Sequence, residues 1–327
     1  MAVYTEVSFD EASDLLETLK LGTLENIEPC KGGIENTNYF VTTDQAQLVL
    51  TLFERLTFEQ LPFYLRLMKH LAKRGIPVPD PAANDSGQIL HSLKDKPAAV
   101  VNRLRGKSQL APQAEHCQAV GHMLARMHLA GQDFELCQPN LRGLNWWNET
   151  VPVVMLFLDS AQRSLIQSEL AYQNHIAAGS AYTALPRGPI HGDLFRDNVM
   201  FEDQDGQVVL SGFFDFYFAG IDTFLFDIAV CLNDWCIDLQ TGEADIRLAR
   251  HFLKSYGNTR PLSCAERQLL PAMLRAAALR FWISRLWDFH LPREASLLKA
   301  HDPRHFEQVL SQRVIHAERS AAHLDPS

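Results

Sequence analysis

The chain has 327 residues, with 30 Lys and Arg against 39 Asp and Glu, for a formal net charge of −9. Hydrophobic residues make up 46% and charged residues 21%, which excludes a disordered, collagen-like or coiled-coil chain and predicts about two domains or lobes. Both halves are acidic, which argues against a nucleic-acid binder, because such a protein needs a basic face to displace counterions from phosphates.

Residues 1–14 carry Glu6, Asp10, Glu11 and Asp14 and lack the basic-then-apolar order of a signal peptide. The longest apolar runs, such as 153–158, fall far short of the ~20 residues a spanning helix needs. No membrane partner and a soluble, cytoplasmic chain are expected. The six cysteines show no C-x-x-C spacing and the thirteen histidines no H-E-x-x-H, so reduced thiols are expected rather than a zinc site.

In chain order, Ser8 with Glu11 has the form of a capping box and predicts a helix through about Leu21. Runs at 24–30, 37–42 and 47–53 predict three strands. Thr57 with Gln60 opens a second helix, in which Leu61, Leu65, Met68 and Leu71 recur at helical spacing until Gly75. Pro77, Pro79 and Pro81 impose extended chain, and strands at 88–92 and 98–103 follow. This strand-rich lobe covers 1–104, with a hinge at about 100–106. Residues 105–327 read as mostly helical, near 112–131, 160–179, 224–236, 244–257, 263–289 and 303–321. Between Pro189 and Phe216 the pattern turns to loops and two short strands.

That interruption carries the chemistry. His191-Gly192-Asp193-Leu194-Phe195-Arg196-Asp197-Asn198 has the H-x-D-x-x-x-x-N form of a kinase catalytic loop, with Gly192 where Arg is usual. Phosphoryl transfer needs one carboxylate beside the attacking hydroxyl and oxygen ligands that hold a metal on the phosphates. Asp193 suits the first role and Asn198 the second. The apolar strand 199–202, the turn 203–206 and the return strand 207–214 form a hairpin that brings Asp215 back beside Asn198 as a second metal ligand. Lys31-Gly32-Gly33-Ile34-Glu35-Asn36-Thr37-Asn38, between the first two strands, is the candidate phosphate loop, since Gly32 and Gly33 let backbone N–H groups approach phosphate oxygens. The expected fold class is α+β, a protein kinase-like two-lobed fold with a small antiparallel-sheet N-lobe and a larger, mostly helical C-lobe.

These residues resemble the aminoglycoside/choline kinase-like phosphotransferases over most of the chain. Within that family, Gly32 through Tyr39, Leu48 through Glu54 and Leu279 through Asp288 are similar to the bacterial homoserine kinases of the non-GHMP type. The resemblance implies phosphorylation of the side-chain hydroxyl of L-homoserine, the step before threonine synthase, with ATP and Mg2+. It implies nucleotide contacts from Gly32, Gly33, Asn36, Asn38, Thr51 and Val101, with adenine near the hinge. For the substrate's carboxylate it offers Arg196, Arg280 or Arg285, and for its ammonium Asp288 or Glu35, each with a structural salt bridge as the plain alternative. His191, Glu59 and Asp227 are expected to support the site, Asp227 by bracing the catalytic loop. The chain departs from the family at Thr51, which stands where most relatives carry a third-strand Lys or Arg paired with a helix glutamate. Glu59 is the candidate for that glutamate, and Lys31 or Arg55 for nearby charge. Phe281, Trp282 and Trp287 are expected to pack the helical core. Another amino-alcohol or sugar acceptor and a nucleotide-binding pseudokinase are the competing readings.

Overall fold

The structure is a computed structural model that describes residues 5–30, 36–291 and 301–316. Its contacts divide the chain into two compact units, Met1–Arg105 with Ser211–Phe214, and Gly106–Leu210 with Asp215–Ser327.

The first unit opens with α1 (Phe9–Thr18), whose capping box at Ser8 is complete, Ser8 Oγ accepting from Glu11 N–H while the Glu11 carboxylate accepts from Ser8 N–H. It continues through β1 (Leu24–Pro29), β2 (Asn36–Thr43), β3 (Gln47–Phe53), α2 (Leu61–Lys73), β4 (His91–Leu93) and β5 (Lys96–Asn102). The strands form one antiparallel sheet in the order β1-β2-β3-β5-β4. Strand β2 alternates buried and half-buried residues along its length, the pattern of a sheet with one face on a core. Tyr39, Val41, Leu48, Leu50 and Val100 from the sheet and Leu16 from α1 make that core.

Two boundaries differ from expectation. Helix α2 starts at Leu61 because the Gln60 side chain accepts from Thr57 N–H and closes a turn ahead of the helix, with Pro62 in the first turn. The strand expected at 88–92 shortens to β4 because Asn84 Oδ1 takes the N–H groups of Ser86 and Gln88 in a side-chain-closed turn.

The second unit comprises α3 (Ala114–Ala130), α4 (Leu144–Val154), α5 (Ser160–Ala177), α6 (Ser180–Thr183), β6 (Arg187–Ile190), β7 (Val199–Gln204), β8 (Gln207–Phe213), β9 (Gly220–Thr223), α7 (Phe224–Trp235), α8 (Ile246–Thr259), α9 (Cys264–His290) and α10 (Arg304–Ile315). The last residues of β8 count with the first unit, where Phe213 N–H donates to Pro77 O. Every residue of α7 is buried, as its nearly uninterrupted apolar sequence requires, and α9 packs against it. Helix α4 had no signal in the sequence: its N-cap Gly143 offers no side-chain bond and Pro152 lies inside it. The β6–β9 pair was equally silent, since four-residue strands show no periodicity. Helix α10 ends at Ile315, and 317–321 of the expected helix lie outside the described residues. All six cysteines are free. No helix among the described residues is long and apolar enough to cross a membrane.

The packing of α3 on α8 depends on Gly121 of α3. A Cβ there would stand 2.4 Å from the carbonyl oxygen of Phe252 in α8. Gly121→Ala gains about 1 kcal/mol of helix propensity but drives a methyl into backbone that cannot swing aside, an overpacking cost of about 1–3 kcal/mol. The clash wins, and thermal unfolding of Gly121→Ala should show a Tm several degrees below that of the parent chain.

Candidate active site

Strand β6 delivers the chain into His191–Asn198, and the loop's shape follows from what its backbone meets. The N–H groups of His191 and Gly192 donate to the two carboxylate oxygens of Asp227, at 2.8 and 2.9 Å. Gly192 has φ +75°, and a Cβ there would lie 2.8 Å from Phe218 O. An arginine at this position would be both strained and sterically excluded, which accounts for the departure from the usual kinase loop. Phe195 N–H then donates to Asp193 O at 2.8 Å, and Asn198 N–H to Phe195 O at 3.0 Å, curling the loop so that positions 193 and 198 meet.

Asn198 Nδ2 donates to Asp193 O at 2.8 Å and approaches Asp193 Oδ2 at 3.5 Å. Its amide oxygen makes no hydrogen bond among the described residues and is left as a neutral ligand. Asp215 is an αL residue, φ +68° and ψ +59°, a conformation that costs a non-glycine residue energy and persists only where its surroundings enforce it. The carboxyl of the half-buried Asp193 is pushed up to about 7, first by burial, which Arg280 opposes and Asp215 reinforces. Asp193 and Asn198 are thereby in contact, and Asp215 lies near enough for its charge to act on the Asp193 carboxyl. Among the described residues no three His, Cys, Asp or Glu side chains cluster as a self-sufficient metal site. One amide oxygen and one carboxylate are hard donors that suit Mg2+ carrying phosphate and water oxygens as its remaining ligands.

Asp227 is fully buried. Burial pushes its carboxyl up, but hydrogen bonds from His128 and Gly192 outweigh that, and it stays below the ordinary carboxylate range. His128 Nε2 lies 3.1 Å from Asp227 Oδ2, and Nδ1 lies 2.7 Å from the Tyr256 hydroxyl. A carboxylate only accepts, so Nε2 carries the proton and Tyr256 donates to Nδ1. Arg260 continues the chain, donating to Tyr256 Oη at 3.1 Å and to Glu266 at 2.8 Å.

The remaining sequence candidates separate. Arg196 is buried, with Nε 3.2 Å from Asp234 Oδ2, Nη1 donating to Leu110 O at 2.9 Å and Nη2 donating to Asp234 O. Three of its donors are engaged inside the fold, which is the structural salt bridge that the sequence offered as the plain alternative to a substrate contact. Arg280, Arg285 and Asp288 share the surroundings of Asp193, all three entering the charge balance of this region. Glu59 is exposed in the turn ahead of α2, hydrogen-bonded to Thr57, so it is not a helix glutamate facing a third-strand base. Thr51 Oγ1 donates to Asn38 Oδ1 at 2.7 Å. Asn36 opens β2, and Val101 pairs with Val49. Gly32, Gly33, Glu35 and Lys31 lie outside the described residues. Phe281 and Trp282 are buried in α9. His128, Asp234 and Tyr256 were not foreseen; the available signal was Asp227 and Asp234, two acids seven positions apart on one otherwise apolar helix, which demand buried partners.

Residues 26–263 match the family model of the phosphotransferase enzyme family. The chain belongs to that family. Relatives include the homoserine kinase of Polaromonas naphthalenivorans, 69% identical over 97% of this chain and 99% of the relative. The homoserine kinase of Cupriavidus pinatubonensis is 55% identical over 98% and 99%. Among solved structures, the amicoumacin kinase hAmiN in complex with AMP-PNP, Ca2+ and Ami superposes with a TM-score of 0.67 at 18% identity, covering 95% of this chain and 94% of that one. The chain thus has the protein kinase-like α+β fold of the family.

Burial, opposed by Asp227, holds the pKa of His128 below its ordinary 6.5. Near that pH the unfolded chain takes up a proton that the folded chain refuses, so this contribution is present above pH 6.5 and is lost as pH falls below it. The urea midpoint should fall between about pH 7 and about pH 5, and less steeply in His128→Gln, in a pH series of unfolding curves.

Proposed function

We propose that this protein is a homoserine kinase, transferring the γ-phosphoryl group of ATP to the side-chain hydroxyl of L-homoserine to give O-phospho-L-homoserine and ADP in threonine biosynthesis. The observation that carries the acceptor is the 69% identity to a homoserine kinase across 97% of the chain. Residues 1–104 are assigned to nucleotide binding and 105–327 to catalysis and acceptor binding. Free cysteines and dependence on ATP fit a cytoplasmic enzyme.

Asp193 accepts a hydrogen bond from the substrate hydroxyl, aims its oxygen at the γ-phosphorus and takes its proton as the new O–P bond forms. A carboxyl raised to about 7 is basic enough for that proton and about half ionised in neutral solution. Asn198 Oδ1 and the Asp215 carboxylate would hold Mg2+, which supplies charge neutralisation on the phosphates when bound. AMP-PNP and Ca2+ in the hAmiN complex support a nucleotide accompanied by a divalent cation. Gly32, Gly33, Asn36, Asn38, Thr51 and Val101 are assigned to the nucleotide. Asp227 keeps Asp193 in place through the two preceding N–H groups, so most of the rate comes from positioning and electrostatics rather than covalent chemistry.

Purified protein should release ADP with L-homoserine only when Mg2+ is present, and EDTA should abolish the reaction. Asp193→Ala should lower kcat by about 10²–10⁴ with little change in Tm. Asn198→Ala should raise the Mg2+ concentration for half-maximal rate. Turnover of choline or ethanolamine without turnover of L-homoserine, in the same coupled ADP assay, would refute the acceptor assignment.

A further inference from the structure

The buried arginines of the second unit are matched to acceptors with one exception. Arg196 has Asp234, Arg260 has Glu266 and Tyr256, and Arg313 donates to Asn233 Oδ1 at 2.9 Å. Arg280 is only 3% exposed, yet among the described residues it makes no ion pair and no hydrogen bond. Its guanidinium lies 3.7 Å from the centroid of the Phe281 ring and 5.0 Å from that of Phe218. Ring faces attract a cation but leave its five N–H donors without an acceptor. A buried, unpaired charge is destabilising, and a fold that keeps one has a use for it when an anion arrives.

The surroundings fix where that anion would lie. Phe218 O abuts Gly192, immediately before Asp193, and the Phe281 ring packs on Phe195, two residues after it, at 4.5 Å. Arg280 is therefore set against the catalytic loop from both sides. The charges acting most on it are Asp193, Arg142, Arg285 and Asp288. Three arginines, Arg280, Arg142 and Arg285, thus share this region with two acids, Asp193 and Asp288, in a chain whose net charge is −9.

We propose that Arg280 is the seat of the acceptor's carboxylate, and that this pairing selects an amino-acid alcohol over the amine alcohol that lacks the carboxylate. The inference rests on the homoserine kinase reading and deepens it. A guanidinium presents a fork of parallel N–H donors that matches both oxygens of a carboxylate, which a lysine cannot do. A site built to pair a buried charge discriminates strongly against a ligand without the partner, because the site's own charge is then left unmet.

The test compares kcat/KM for L-homoserine and for 3-amino-1-propanol, which is homoserine with its carboxylate replaced by hydrogen, in the full-length enzyme. In Arg280→Gln the ratio of the two should fall by about 100-fold or more, with a Tm at or above that of the parent because an unpaired buried charge has gone. Arg280→Lys keeps a cation without the fork and should give an intermediate ratio; if the Gln variant does not fold, the Lys variant decides by the same ratio. A ratio within about threefold of the parent overturns the proposal, including the case where kcat falls equally for both acceptors, as contact with the transferred phosphoryl group would cause. A ratio that collapses in Arg285→Gln and holds in Arg280→Gln also overturns it. Parent enzyme that phosphorylates 3-amino-1-propanol but not L-homoserine overturns the substrate reading itself, a result distinct from loss of selectivity in the variant alone.

Discussion

Two consecutive backbone N–H groups, those of His191 and Gly192, converge on the two oxygens of one buried carboxylate, and the geometry of the catalytic loop is built outward from that contact. Hydrogen bonds to a buried charged acceptor contribute about 1.5–3 kcal/mol each, and neither donor has water to fall back on. Asp227 comes from the first turn of α7, a helix buried on every side, so the carboxylate is anchored to an element of the core. His128 adds a third donor, and behind it Tyr256, Arg260 and Glu266 extend the chain of polar contacts. Glu266 also completes the capping box of α9 with Ser263. The same helix carries Arg280 four turns further on, so the start of α9 is tied to the catalytic loop by polar contacts and its middle by ring packing of Phe281 on Phe195. A fully satisfied buried network of this kind rigidifies and specifies one arrangement, whereas a partly satisfied one would be worse than an apolar core.

In the proposed reaction, the charge pattern around Asp193 sets its strength as a base. Burial and Asp215 disfavour the ionised form; Arg280 and Arg285 favour it. Without the arginines the carboxyl would be protonated at neutral pH and unable to take a proton from an alcohol. Without burial and the neighbouring acid it would be too weak a base to pull on that proton. Arg280 feels the reciprocal pressure: burial and its fellow arginines lower its pKa to about 9, with Asp193 opposing them. Asp193 thus favours the charged form of Arg280 from nearby, while the hydrogen-bonding capacity of the guanidinium stays uncommitted among the described residues.

What was legible in the sequence was whatever is encoded by local spacing. The H-x-D-x-x-x-x-N motif, the hairpin that returns to Asp215, the periodic helix α3 and the apolar runs of α7 and α9 announce themselves through neighbours in the chain, and all were readable from residues. Nonlocal matching was not. Nothing around Arg196 announces that Asp234, thirty-eight residues on, pairs with it. His128 sits in an ordinary amphipathic helix, and only the fold reveals that it faces Asp227, ninety-nine residues away. Helix α4 lacks a side-chain cap and contains a proline, so tertiary packing of Trp147, Val151 and Val154 holds it where propensity would not. Glu59 failed for a local reason of another sort: Gln60 closed a turn one step early and left the glutamate outside the helix.

The departure at Thr51 has its explanation in the first unit. Thr51 and Asn38 are directly opposed in the β2–β3 register, and their side chains satisfy one another at 2.7 Å with Thr51 only 8% exposed. A lysine at 51 would break that pair and bring a cation to a buried position. Glu59 stands in solvent, and Glu54 already accepts from Thr37 and pairs with Lys96. The neutral Thr–Asn pair is the arrangement the surrounding acids permit. In the proposed reaction this shifts the neutralisation of phosphate charge away from the third strand and onto the cation held by Asn198 and Asp215. That places a correspondingly heavier demand on the amide oxygen of Asn198, which the loop leaves uncommitted by directing Nδ2, and not Oδ1, back to Asp193.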